Sequence, residues 1–334
     1  MTSKFANKTF TPVTQSSEGG NTGGSNNPVD WKALNEHVAE KVQEAIGCEE
    51  GSPSAVIGII SGVVEYGKHQ DPERVEPMDE GDAKTQDWKK YQVEKGKATV
   101  DADGMFHYQA PACQEVGFFV DFPSIIVDKG QFFGDSNPQP YRVLLGGVFK
   151  GIPAQLTKIQ GYPNEDKVWV FGDKNRATKL AKAAKLPDLK NGFAQERLLE
   201  LIGQPIQFSA EVFVNSAGYL QEKVTNPSPL MNGMPVPEID EDLLFYVGLN
   251  EDNEEQYLKY LTKPVKEYQK EALDFEGSKL QKQLEKLEGG SSDNSSTSPK
   301  ETPKKQEAPA KVDTTPSMPE EDVDGLDFGD EVPF

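Results

Sequence analysis

Residues 54–67, SAVIGIISGVVEYG, form an apolar, β-branched run interrupted by Gly58 and Gly62. β-Branched side chains lose rotamers against a helical turn and fit a pleated surface, so the run reads as a strand. Glycines inside a strand mark a bulge or strong bend. The sheet built around it therefore has to curve.

Further strand signals follow. KATVDADGMFHYQAP (97–111) is a strand pair around Asp103-Gly104, and EVGFFVDFPSIIVDKG (115–130) and PYRVLLGG (140–147) are single strands. KVWVFGD (167–173) leads into a basic helix at about 174–185, and FAQERLLELIG (193–203) is a second short helix. QPIQFSAEVFV, NSAG and YLQEKVTNPSPL (204–230) form a hairpin. On it Phe208, Ala210, Val212 and Val214 point one way and Gln207, Ser209, Glu211 and Phe213 the other. Residues 68–97 are polar and too long for an ordinary turn, so they read as a loop excursion. The predicted class is mainly β: an OB-type Greek-key barrel over 51–250 with inserted loops, although strand order alone also allows a sandwich.

The flanks differ from this body. Residues 1–29 are Ser/Thr/Asn/Gly-rich and read as a disordered arm. In the 30–50 segment, Asp30 is a plausible N-cap, Leu34, Val38, Val42 and Ile46 recur at helical spacing, and Gly47 stops the helix. Residues 251–288 read as a helical extension broken at Pro264, with leucines that either pack on the domain or pair two copies as a homodimer. Residues 289–334 are a Gly/Ser/Pro/charge linker ending in an acidic tip.

No apolar run reaches the roughly 18 residues that span a bilayer, and the first residues lack a secretory h-region. Cys48 and Cys113 have no partner motif and fit a reducing cytoplasm as small buried residues, a single bridge being the alternative. The net charge of −20 argues at first against a nucleic-acid partner. Its distribution tempers that. Residues 289–334 carry 4 basic and 11 acidic side chains, whereas 173–190 carry 6 basic and 2 acidic.

Catalytic signatures are missing: there is no phosphate-binding GxxxxGK[ST], no GxGxxG after a strand and no GxSxG. His37, His69 and His107 stand singly. The acidic groups Asp79/Glu80/Asp82 and Asp101/Asp103 lack an associated Lys or His for a magnesium nuclease. The expectation is a binding protein without cofactor or metal.

The tip, DFGDEVPF (327–334), sets apolar residues inside acid and ends on a ring. A partner with a basic rim and an apolar pocket reads both features, carboxylates steering and Phe334 anchoring. Asp327, Phe328, Asp330, Glu331, Val332, Pro333 and Phe334 resemble the acidic tip of bacterial single-stranded DNA-binding proteins, with Gly329 where that family usually has another acid. The body, through VIGIISGVVEYG, VGFFVDFPSIIV and LLELIGQPIQFSAEVFVNSAGYLQEKVTNPSPL, resembles the OB-fold single-stranded DNA-binding proteins of bacteriophages. The resemblance implies single-stranded DNA as ligand and a role in replication, recombination and repair in the infected bacterial cytoplasm. It also implies replication proteins (polymerase, primase-helicase, nucleases) as partners of the tip.

Single strands are held without sequence preference by cations along the backbone and aromatic rings under the bases. The candidate residues are Trp88, Lys89, Lys90 and Tyr91 in the long loop, then Tyr141 and Arg142, then Phe213, Tyr219 and Lys223 on the polar side of the hairpin. Tyr108, Lys158 and the basic helix with Lys174, Arg176, Lys179 and Lys182 complete the set, with Trp169 weaker. Phe118, Phe119, Phe122, Phe132 and Phe133 read as core. Two rival functions remain at this point: a recombination mediator or annealing protein, and a structural virion protein that binds no DNA.

Overall fold

The computed structural model describes residues 30–289, apart from 48, 134, 135, 137, 150, 151 and 217. The arm 1–29, the linker from 290 and the tip residues Asp327, Phe328, Asp330, Glu331, Val332, Pro333 and Phe334 lie outside the described residues. Among the described residues no helix is long and apolar enough to cross a membrane.

Helix α1 (Trp31–Ile46) begins where Asp30 accepts a hydrogen bond from the Ala33 N–H at 3.0 Å. It ends at Gly47, whose φ of 65° lets its N–H reach the Gln43 carbonyl. Strand β1 (Ser54–His69) follows, and its register against a later strand slips between Ile60 and Gly62, as Gly62 suggested, and again between Glu65 and Gly67, while Gly58 pairs regularly with Ile206. The excursion after it is folded rather than loop. It holds β2 (Arg74–Pro77), helix α2 (Ala83–Glu94), β3 (Ala98–Val100) and β4 (Met105–Tyr108), with strand order β2-β4-β3. Strand β5 (Cys113–Val127), the short α3 (Gly130–Phe133) and β6 (Gln139–Leu145) return to the main sheet.

A ribbon of β7 (Gly147–Phe149) and β8 (Ile152–Ala154) precedes β9 (Thr157–Lys158), which pairs with the start of β5. Then β10 (Gly161–Pro163), β11 (Trp169–Phe171), helix α4 (Arg176–Ala183) and β12 (Phe193–Ala194) build a small side sheet with α4 between its strands in sequence. A 3-10 turn at Gln195–Leu201 leads to the hairpin of β13 (Pro205–Val214) and β14 (Leu220–Ser228). The chain closes with β15 (Phe245–Val247), α5 (Glu255–Leu258), α6 (Lys263–Lys270) and α7 (Lys279–Gly289). Pro264 sits in the first turn of α6 rather than breaking a helix, where its missing N–H has no partner to lose.

The main sheet runs β14-β13-β1-β5-β6 and is antiparallel along that path. Strand β13 pairs with β1 only from Ser54 to Ile59; beyond the bend β15 takes its place, parallel, from Gly62 to Val64. No backbone pairing joins β6 to β14 among the described residues. The Tyr141 hydroxyl of β6 instead donates to Glu222 Oε1 of β14 at 3.2 Å.

Each side of the sheet has its own core. Val56, Ile60, Phe118, Val120, Phe122 and Phe208 pack with Leu34, Val38 and Val42 of α1 and Leu180 of α4. Val64, Tyr66 and Phe119 pack with Phe245, Tyr257, Leu258, Leu261 and Val265 from the C-terminal segment. Each fully buried side chain of this size contributes about 1.5–3 kcal/mol, so the helical extension is an integral layer. Polar bonds sew it down as well. The Tyr246 hydroxyl and the Leu249 N–H donate to Glu65, the Tyr268 hydroxyl donates to Glu115 at 2.8 Å, and the Lys68 N–H donates to Asp274 at 2.7 Å.

Candidate nucleic-acid interface

Sequence placed Trp88-Lys89-Lys90-Tyr91 together in a loop; the structure places them on α2 and so spreads them around a cylinder. Asp82 caps that helix by accepting from the Thr85 N–H at 2.8 Å, and neither Gly nor Pro interrupts the segment. Successive helical residues point about 100° apart, so four neighbours cannot line one groove. Lys89 turns inward, fully buried, with its ammonium at 2.8 Å from Glu76 and from the Pro77 and Glu80 carbonyls. It is removed as a phosphate ligand, because a buried amine with three acceptors is a structural strut. Trp88 meets Phe106 and Tyr108 edge-on at 5.6 and 5.1 Å, with Arg74 5.3 Å above it. Lys90 pairs with Asp87 at the surface. Of the four, Tyr91 alone presents an open ring, 44% exposed, with Lys95 5.4 Å from its centroid.

Tyr141 and Arg142 are corrected too. Tyr141 is buried, and burial together with Glu222 holds its hydroxyl well above the ordinary phenol range. Arg142 grips Asp121 through two bonds, at 2.6 and 2.7 Å, and lies 4.4 Å from the Tyr260 ring. A phosphate would have to displace a bidentate carboxylate there. Lys158 is paired with Asp71, and Lys223 lies 3.6 Å from Glu211.

The basic helix is more open. Asn175 caps α4, and Ala177, Leu180, Ala181 and Ala183 fill its inner side. Lys179 and Lys182 project outward and Lys174 is exposed just before the cap. Lys182 pairs with Asp173 at 2.6 Å, while Arg176 folds back onto Gln155, its Nη2 2.8 Å from Oε1. On the hairpin the register sets Phe213 opposite Gln221 and Glu211 opposite Lys223, so Phe213 and Lys223 share one face, while Tyr219 sits in the connection just before β14. Phe213 is half-buried and Tyr219 is 41% exposed, with Lys32 of α1 4.5 Å from its ring. Val214 keeps the register of Ala210 and Val212 but is exposed at the hairpin end.

Two exposed rings were undervalued by sequence reasoning, Trp169 and Tyr162, on the β10–β11 ribbon. Trp169 lies two residues before the buried Phe171 and so on the same strand face, and periodicity alone assigns it inward; its place at the ribbon's outer end exposes it. Charge is the harder constraint. The chain carries −20, residues 289–334 account for −7 and residues 1–29 for +1, leaving −14 on the body 30–288. Any polyanion therefore has to be met by local cations. Among the described residues no three acidic, histidine or cysteine side chains gather as for a metal ion.

Comparison with protein-family models, curated proteins and solved structures gave no match.

Proposed function

We propose that the protein binds single-stranded DNA without sequence preference, as an OB-type barrel, and acts as a non-enzymatic coating protein in phage DNA replication, recombination and repair. Two features support the fold assignment. The order β6-β5-β1-β13-β14, with a helix between the third strand and the hairpin, is that of a five-stranded, partly open Greek-key barrel. Glu222 and Tyr141 supply a side-chain contact across the seam.

The observation that carries the ligand is the surplus of cations between 173 and 190, six basic against two acidic in an otherwise acidic body, with Lys179 and Lys182 of α4 and Lys174, Lys185 and Lys190 on either side of it in sequence all exposed. Phosphates pair with these lysines while bases lie on exposed rings. The sheet face at Val64 of β1 and Phe119 of β5 is covered by the C-terminal segment, so DNA runs along the flank. The acidic tip stays with protein partners of the replication machinery.

The test is anisotropy of labelled oligo-dT and of a duplex of equal length at two salt concentrations. Preference for the single strand, weakening with salt by about 0.7 log units per phosphate contact for each log unit of salt, supports the proposal. Equal affinity for both forms at low salt overturns it.

A further inference from the structure

We propose that Trp169 is a base-stacking residue, the floor of a subsite for one unpaired nucleotide at the outer end of the β10–β11 ribbon. The inference rests on the single-strand reading above and adds a residue to it. Trp169 is 57% exposed, more than any other ring whose burial is described. Of the other rings, Trp88 is packed by Phe106, Tyr108 and Arg74, Tyr219 and Tyr91 each have a lysine over the ring, Lys32 and Lys95, and Tyr162 is bare too but smaller and less exposed, at 41%. Among the described residues neither a ring nor a cation lies against Trp169. An indole left bare in this way is ready to stack on a base, because every base offers a π face.

The ring is also held in place. Its strand neighbours Val170 and Phe171 are each 1% exposed, and Phe171 stacks with Phe193 at 5.8 Å. The turn before it is bound tightly: Asn164 Oδ1 accepts from the Val168 N–H at 2.9 Å, and the Lys167 N–H donates to the Asn164 carbonyl at 2.9 Å. Asn164 Nδ2 donates to the Asn191 carbonyl at 3.2 Å, and Asn191 Nδ2 to Asp166 at 3.3 Å. These bonds fasten the loop bearing Lys190 to the turn bearing Lys167. Both lysines are exposed and neither has an ion-pair partner among the described residues. Lys167 keeps its place at φ 63°, a conformation that glycine or asparagine adopts more readily.

The charge here is modest, since Glu165 shares the turn and Asp188 precedes Lys190. Stacking therefore outweighs phosphate pairing at this subsite. Removing the ring should cost much more than removing the two amines. Tyr162, 41% exposed and set opposite Val170, faces the other side of the ribbon and cannot share the same base.

The test uses the full chain and labelled oligo-dT. Trp169→Ala should bind about 5- to 160-fold more weakly, the loss of one stacked base, while Trp169→Phe keeps most of the affinity but loses most of the tryptophan quenching seen on saturation. Lys167→Gln with Lys190→Gln should weaken binding less than Trp169→Ala and flatten the salt slope by about 1.4. Wild type that ignores oligo-dT overturns the proposed function and this subsite together. Wild type that binds while Trp169→Ala binds within twofold of it overturns the subsite alone. A Trp169→Ala protein whose DNA affinity is intact but whose sedimentation shows lost self-association makes the ring a protein contact, which also overturns it. Far-UV circular dichroism of both variants checks folding, and Trp169→Phe keeps the proposal testable should the alanine variant misfold.

Discussion

Gly62 is where the bent strand meets the C-terminal segment, and replacing it by alanine asks how rigid that junction is. A Cβ at position 62 would lie 2.6, 2.7 and 2.8 Å from three ring carbons of Phe245. Carbon atoms rest at about 3.5–4.0 Å, so the ring has to withdraw by about 1 Å. It has little freedom to do so. Phe245 is fully buried, with Tyr257 and Phe119 at 5.3 and 5.1 Å and the Arg142 guanidinium at 5.4 Å, and Arg142 is itself pinned to Asp121. Overpacking of this kind costs about 1–3 kcal/mol. The lower chain entropy of the unfolded alanine variant returns about 0.4–1 kcal/mol, since Gly62 does not sit at positive φ. Gly62→Ala should therefore lose about 1–2 kcal/mol in urea denaturation, with the midpoint lowered and the slope unchanged. Gly172→Ala is the control: nothing lies within 4 Å of its added carbon, and it should be neutral or slightly stabilising. Shrinking the ring with Phe245→Leu should make the two changes less costly together than their sum, by about 0.5–3 kcal/mol. A Gly62→Ala protein as stable as wild type, or strict additivity with Phe245→Leu, would refute the account of a rigid, shared core.

Burial pushes the Glu65 carboxyl up to about 7, against the lowering pull of the Tyr246 hydroxyl and the Leu249 N–H, with Asp274 and Glu251 raising it further. The folded state thus holds this proton more tightly than the unfolded chain, whose carboxyl titrates near 4.5. Its contribution to stability is complete below about pH 4.5 and is lost as pH rises through about 7, a change of about 3 kcal/mol. Glu65→Gln should flatten that part of the melting temperature profile between pH 5 and 8, and an unchanged slope would exonerate Glu65. On the proposed single-strand reading, deleting 325–334 removes Asp327, Asp330 and Glu331 from a chain that has to hold a polyanion, so it is expected to tighten oligo-dT binding at low salt and to have little effect at high salt, where charges are screened. Unchanged affinity at low salt would show that the charge of the tip does not oppose binding.

Much of the local structure is written in the sequence, because it depends on near neighbours. The Asp30 cap and Gly47 stop of α1, the irregularity of β1 at Gly62, the turn at Asp103-Gly104 and the alternation from Ile206 to Val212 each follow from backbone preference or period. The candidate site was less legible. Whether a lysine faces water or a carboxylate depends on residues distant in sequence: Asp121 for Arg142 and Asp71 for Lys158. The Trp88–Tyr91 cluster failed for another reason, since reading 68–97 as loop hid the helical spread that turns Lys89 inward.

The sequence by itself determined the helices with their caps, the bending strand, the acid at the end of the chain and the basic stretch at 173–190, all properties of composition and short-range geometry. Tertiary structure decided which rings are bare and which cations are spent. It laid Phe245 and its helices over one half of the sheet, clasped the Lys167 turn to the Lys190 loop, and left Trp169 uncovered while burying Phe171 two residues on. Exposure is set by what packs against a residue, and a strand's period of two cannot tell the end of a ribbon from its middle.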